Sequence, residues 1–215
     1  MATISAPPTK PEAELNGHAV AAPETTSTEW GNSAPLALMA FAVTTFMLSM
    51  VNAKAVASGA LPVVFGVALF FGGLAQLLAG IIQLRVGKTF TGVLFTGFGA
   101  FWMSLFGYVQ WFEKAVPAAQ AGHALGLFLY AFGIFAAIML LTSLRTSVVV
   151  VAALAVLTAT LFILGAGSYG GHTSLVHIGG WTGIATAALA FYLSASELCE
   201  ASYGRMVLPV WPLSD

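Results

Sequence analysis

Between Pro35 and Ser196 the chain falls into six apolar runs, and no Asp, Glu, Lys or Arg sits at the middle of any of them. A run of about 20 such residues crosses the hydrocarbon layer as an α-helix, the form that satisfies its own backbone where there is no water. The composition agrees: 7% of the 215 residues are charged and 59% hydrophobic, whereas soluble domains carry about 25% charged residues. The expected fold class is all-α, a polytopic membrane protein with six transmembrane helices. A net charge of −1 offers nothing to a polyanion, so no nucleic-acid partner is expected. The single cysteine, Cys199, cannot form an internal disulfide and excludes thiolate clusters. No metal, cofactor or catalytic residue is expected.

The spans are read as about Pro35 to Ala53, Leu61 to Leu84, Thr89 to Trp111, Ala121 to Leu141, Ser147 to Ala166 and Leu175 to Ser196. Residues 1–31 hold Pro7, Pro8, Pro11 and Pro23 among Ala, Ser, Thr and Glu, too little apolar area to offset ordering, and read as a disordered tail. They lack the basic start and apolar core of a cleaved signal. The membrane domain is expected over 32–209, with a short tail at 210–215. Arg85, Lys88, Arg145, Arg205 and Lys10 fall on one side of the bundle, and Lys54 and Lys114 on the other. By the positive-inside rule both termini face the cytoplasm.

Polar residues within the spans say more, because each needs a partner or water. Gly73, Gln76, Gly80 and Gln83 share one helical face, as do Phe41, Thr45, Leu48 and Asn52, and Thr91, Phe95, Phe98 and Trp102. Thr158 and Thr160 lie in the fifth span, Thr182 and Thr186 in the sixth. Such stripes fit either a narrow hydrogen-bonding path interrupted by rings or hydroxyls closed on their own backbone. Gly122 with Gly126, Ala75 with Ala79, and Gly179 with Gly183 have helix-packing spacing. The titratable candidates are His123, His177 and Glu197, near helix ends.

The stretch from Asn32 to Phe41 with Thr44 and Thr45, the run FGGLAQLLAG (Phe71 to Gly80), GKTFTGVLFTGFGAFW (Gly87 to Trp102), HIGGWTG (His177 to Gly183) and YGRMVLP (Tyr203 to Pro209) together resemble the acetate uptake transporter family, the succinate–acetate permease group. The resemblance implies six-helix proteins of the inner or plasma membrane that carry acetate, and in some cases succinate, as homohexamers with one pathway per protomer. It implies a constriction at Phe41, Phe98 and Leu157, the last resting on the match at Leu157 and Thr158. Donors along the path are then expected from Thr45, Asn52, Gln76, Thr96 and Thr158, with His177 or Glu197 as candidates for proton coupling. Membrane lipid and a small carboxylate are the expected partners.

Four positions depart from the family pattern. Ser33 replaces a proline and Ala37 a glycine, which predicts a looser helix entry. Phe98 stands where a tyrosine is common, and Gln83 where a glutamate is common. Two other classes remain open: a redox subunit or membrane enzyme using His123, His172 and His177, and a sensor that binds acetate without passing it. Ammonium movement is a third option, disfavoured by the lack of mid-membrane carboxylates.

Overall fold

The structure, a computed structural model, describes residues 30–213; most of the expected N-terminal tail, Lys10 included, lies outside them. Six helices are long and apolar enough to cross a membrane: α1 (Ala34–Asn52), α2 (Ser58–Arg85), α3 (Thr89–Ala115), α4 (Ala118–Ser143), α5 (Val148–Tyr169) and α6 (Thr173–Tyr203). The multi-pass, all-helical architecture is thus as expected. At 1.5 Å per residue α6 is about 46 Å long, well beyond the ~30 Å hydrocarbon layer. It runs seven residues past the expected Ser196, so Glu197 lies inside the helix and not at its end.

Local signals set the helix limits. Pro35 occupies the first turn of α1, where a missing N–H is harmless. Gly87, at φ 80°, turns the chain between α2 and α3. Gly204, at φ 66°, closes α6 in the left-handed conformation that glycine adopts freely. Ser147 caps α5 by accepting from the Val150 N–H at 3.3 Å. Its replacement by alanine is expected to lower stability by about 1 kcal/mol, read as a small fall in Tm in detergent.

One feature inside a span had no sequence signal. α2 passes through a π-helical stretch at Ala68–Ala75 before resuming as an α-helix at Gln76. The wider turn lets Gly72 and Gly73 approach neighbours on two sides. A Cβ on Gly72 would lie 2.5 Å from the Thr44 hydroxyl in α1, and one on Gly73 2.6 Å from Met103 in α3. Such segments gather at functional sites, and Gln76 is the first residue after this one.

Packed in chain order, the helices form a ring. α1 rests on α2 and α6, α2 on α3, α4 on α5 and α5 on α6, and a thinner contact joins α3 to α4. Small residues allow the close crossings: a Cβ on Gly99 would sit 2.6 Å from the Leu77 backbone, and one on Gly126 2.7 Å from Tyr169. The glycine pairs at helix-packing spacing therefore meet neighbours within the same chain. Outside the ring, Phe70, Leu127, Ile138, Leu141 and Trp181 are exposed, an apolar belt suited to lipid or to other copies.

Both described ends of the chain lie on one face of the bundle, called here the terminal face. After Gly204 the chain folds back along α6. Ser196 Oγ donates to the Leu208 carbonyl at 2.8 Å and Tyr192 Oη to that of Pro209 at 2.7 Å. Residues 211–213 then pair with the α4–α5 connection: Val148 N–H donates to the Trp211 carbonyl at 2.9 Å and Leu213 N–H to that of Thr146 at 3.0 Å. The segment set apart in the sequence as a short tail thus begins as a strap laced to the bundle.

Candidate functional site

Two cavities enter the ring from opposite faces. The outer one, about 370 Å³, opens among the α1–α2, α3–α4 and α5–α6 connections, with Asn52, Glu113, Gly122 and Ser168 in its wall. The inner one, about 80 Å³, lies toward the terminal face among Leu38, Gln76, Thr91, Val150, Thr186 and Glu197. Three residues line both: Phe41, Phe98 and Leu157. They come from α1, α3 and α5, alternate members of the ring. Phe98 is nine residues into α3, about 14 Å along its axis, near the middle of the hydrocarbon layer.

The partition is made of rings held edge to face. Phe98 meets Phe41 at 5.4 Å between centroids and Phe135 of α4 at 5.4 Å. Phe101 backs it at 6.1 Å and itself stacks on Phe128. Edge-to-face pairs add about 1 kcal/mol each beyond area burial, so this cluster keeps Phe98 in place, and Phe98 is only 2% exposed.

Polar groups beside the partition fall into two sets. Thr44 closes its hydroxyl on the Ala40 carbonyl at 2.8 Å, the ordinary fate of a membrane threonine. Its neighbour Thr45 does not: Thr45 Oγ1 is buried without a hydrogen-bond partner, and so is the indole N–H of Trp102. Both line the outer cavity. On the inner side Gln76 is 1% exposed, and its side-chain carbonyl oxygen is also without a partner. A buried polar atom left unpaired costs about 1–3 kcal/mol. Three of them around one partition mark a place that a passing polar molecule, or water, would satisfy.

Other expected residues lie elsewhere. Thr96 donates to the Gly92 carbonyl at 2.6 Å and Thr158 to that of Leu154 at 2.7 Å. Neither is in the wall of either cavity. Thr96 instead packs against Gly80, whose added Cβ would fall 2.8 Å from its methyl group. Besides Thr45 and Thr91, the threonines in the cavity walls are Thr160 in the outer and Thr186 in the inner, with hydroxyls 3.4 Å apart. Asn52 lines the outer cavity. His177 lines neither, while Glu197 lines the inner one. Twenty residues separate the two on α6, about 30 Å, too far for a direct proton exchange.

The second-span stripe has a divided role. Gly80 and Gly73 seat α3, Gln76 faces the inner cavity, and Gln83 ties the terminal face together. The Gln83 amide reaches Ser33 Oγ and Thr91 Oγ1, each at 2.9 Å, and Asn32 Oδ1 at 3.1 Å. Asn32 Nδ2 donates to Glu197 at 3.0 Å. Ser33 Oγ donates to the Ala79 carbonyl at 2.8 Å, so the expected looser entry to α1 is instead tied to α2. This clasp joins α1, α2, α3 and α6 beneath the inner cavity.

The remaining histidines offer no joint site. The ring of His123 lies 4.5 Å from that of Tyr169, and His172 precedes α6 as its cap residue. No cluster of three or more His, Cys, Asp or Glu that could hold a metal occurs among the described residues.

Comparison with known proteins gives one consistent likeness. The profile of the GPR1/FUN34/yaaH family matches residues 14–215. The chain is 32% identical over 184 residues to the succinate-acetate/proton symporter SatP of Escherichia coli K12, covering 86% of this chain and 97% of that one. It is 35% identical over 170 residues to ammonia transport outward protein 2 of Saccharomyces cerevisiae, covering 76% and 60%. The solved structure of the bacterial acetate channel SatP superposes with a TM-score of 0.79 at 31% identity, covering 85% of this chain and 99% of that one.

Proposed function

The chain belongs to the GPR1/FUN34/yaaH family, and from that premise we propose that it carries small carboxylates, acetate foremost and succinate second, through the ring of each subunit. The observation that carries this reading is the meeting of two opposed cavities at only three shared residues, Phe41, Phe98 and Leu157. A carboxylate sheds water in the outer cavity, where the Thr45 hydroxyl and the Trp102 N–H stand ready as donors. Its methyl group then passes the rings and Leu157, which offer dispersion contact and no hydrogen bond. Passage needs sites that bind weakly enough to release, and a nearly apolar gap flanked by single donors meets that need.

The protein sits in the inner or plasma membrane with both termini in the cytoplasm. The excess of Arg and Lys on the terminal face supports this orientation. Assembly as a homohexamer belongs to the same reading, with the exposed apolar belt shared between lipid and neighbouring copies.

Uptake of labelled acetate into proteoliposomes tests the proposal. Flux well above that of empty vesicles is expected, and flux equal to theirs would sink it. Thr45→Val keeps the shape but removes the outer hydroxyl. It is expected to slow acetate entry by roughly fivefold, the equivalent of about 1 kcal/mol, with unchanged assembly on gel filtration.

A further inference from the structure

We propose that Glu197 sorts carboxylates by charge, holding back a dianion at the inner cavity more strongly than a monoanion of the same size. This deepens the transport reading above, on which it rests, by giving a physical reason for acetate ahead of succinate.

Among the described residues, Glu197 is the only charged one in the wall of the inner cavity, and no Lys, Arg or His lines either cavity. The carboxylate is held in place. Asn32 Nδ2 donates to its Oε2 at 3.0 Å, while Asn32 Oδ1 accepts the Ala34 N–H at 3.1 Å at the start of α1. The other members of the clasp, Ser33, Gln83 and Thr91, are uncharged. Lys88 and Glu200 stand near enough to Glu197 to act on it. Their charges oppose each other, so the mouth of the cavity stays negative.

Other charges along the way act more weakly. Arg85, Arg145 and Arg205 attract anions of either kind to the terminal face, but from outside the cavity wall, where salt screens a charge over about 8 Å. Glu113 is exposed at a cavity of about 370 Å³, and water weakens its field in the same way. Glu197 is half-buried beside only about 80 Å³, among Phe90, Val150, Leu154 and Leu193. In so small a space a second carboxylate cannot keep its distance. At an effective dielectric of about 20, one added like charge roughly 10 Å away is disfavoured about tenfold.

Acetate carries its single charge past Glu197, and succinate carries two. Selection by a repulsive element of this kind is separate from selection by width at Phe98. Succinate and succinamate, in which an amide replaces one carboxylate, tell the two apart. They match in length and shape and differ by one charge.

The test follows labelled succinate and succinamate entering proteoliposomes of the full-length protein at neutral pH, with entry into empty vesicles subtracted. Glu197→Gln keeps the length and the acceptor for Asn32 but loses the charge. It is expected to raise succinate relative to succinamate about tenfold. Glu197→Met, also uncharged, serves if Glu197→Gln does not insert. Glu197→Asp keeps the charge and is expected to hold the ratio within about twofold of the parent. Phe98→Ala, which alters width, is expected to move the two solutes together. An unchanged ratio in a folded Glu197→Gln protein would overturn the proposal, as would an equal shift from Glu197→Asp or Phe98→Ala. Entry of labelled acetate no faster than in empty vesicles would instead overturn the transport reading itself.

Discussion

Phe98→Ala is expected to raise entry of succinate relative to acetate several-fold, measured as competing labelled fluxes into the same proteoliposomes. The side chain lies where the outer and inner cavities meet, and its removal deletes the shared ring from both walls. Leu157 and Phe41 remain, but Phe41 loses the edge contact that holds it at 5.4 Å. The two cavities, about 370 and 80 Å³, then become continuous. Acetate, the smaller acid, is expected to gain less from a wider gap. A four-carbon acid gains much more, so the ratio moves even if both rates rise. Losing a buried phenyl group in a core costs about 3–5 kcal/mol, yet Phe101 and Phe135 stay to support the site. Phe98→Leu, which keeps most of the volume, separates loss of stability from loss of selectivity. An unchanged acetate-to-succinate ratio in a folded Phe98→Ala protein would remove Phe98 from the constriction.

Much of this architecture was legible in the residues, and the reasons are physical. Six uncharged runs can only be six helices in a bilayer, and the ends of each run are set by proline, glycine and charge. Phe41 and Phe98 were reachable from helical spacing; Leu157 came from the family resemblance alone. The illegible parts all depend on where a side chain turns in three dimensions. Thr44 and Thr45 are adjacent and identical, but one hydroxyl reaches the carbonyl four residues back and the other is left without a partner in a residue of the cavity wall. Thr96 and Thr158 were expected on the path for the same reason that Thr45 was, and nothing in composition distinguishes them. Helical spacing places Trp102 as one more ring on a face and carries no sign that its indole N–H is buried without a partner. The π-helical stretch, the terminal clasp and the folded-back strap join segments far apart in sequence and leave no periodic trace.

Gly180→Leu is expected to be the most damaging single substitution in the fold. A Cβ at this position in α6 would fall 2.6 Å from the Asn52 carbonyl carbon and 2.7 Å from the Ala53 Cα, at the end of α1. Those atoms are backbone and cannot swing aside as a long side chain would. The α1–α6 crossing is an extensive contact in the ring, and Gly183 repeats the close approach one turn on, against Ser49. Forcing the pair apart therefore opens the ring where it closes on itself. Overpacking that displaces backbone exceeds the usual 1–3 kcal/mol; about 4 kcal/mol corresponds to a fall of roughly 10 °C in Tm for a chain of this size. Gly66→Leu is the matched control, since an added Cβ there meets nothing within 4 Å, and its Tm should not move. Acetate entry is expected to fall with Gly180→Leu as well, because α1 carries Phe41 and Thr45 while α6 carries Thr186 and Glu197. A Gly180→Leu protein that melts with the parent would mean that the ring does not depend on this crossing. Its flux alone would then report whether the path needs α1 and α6 held at backbone contact.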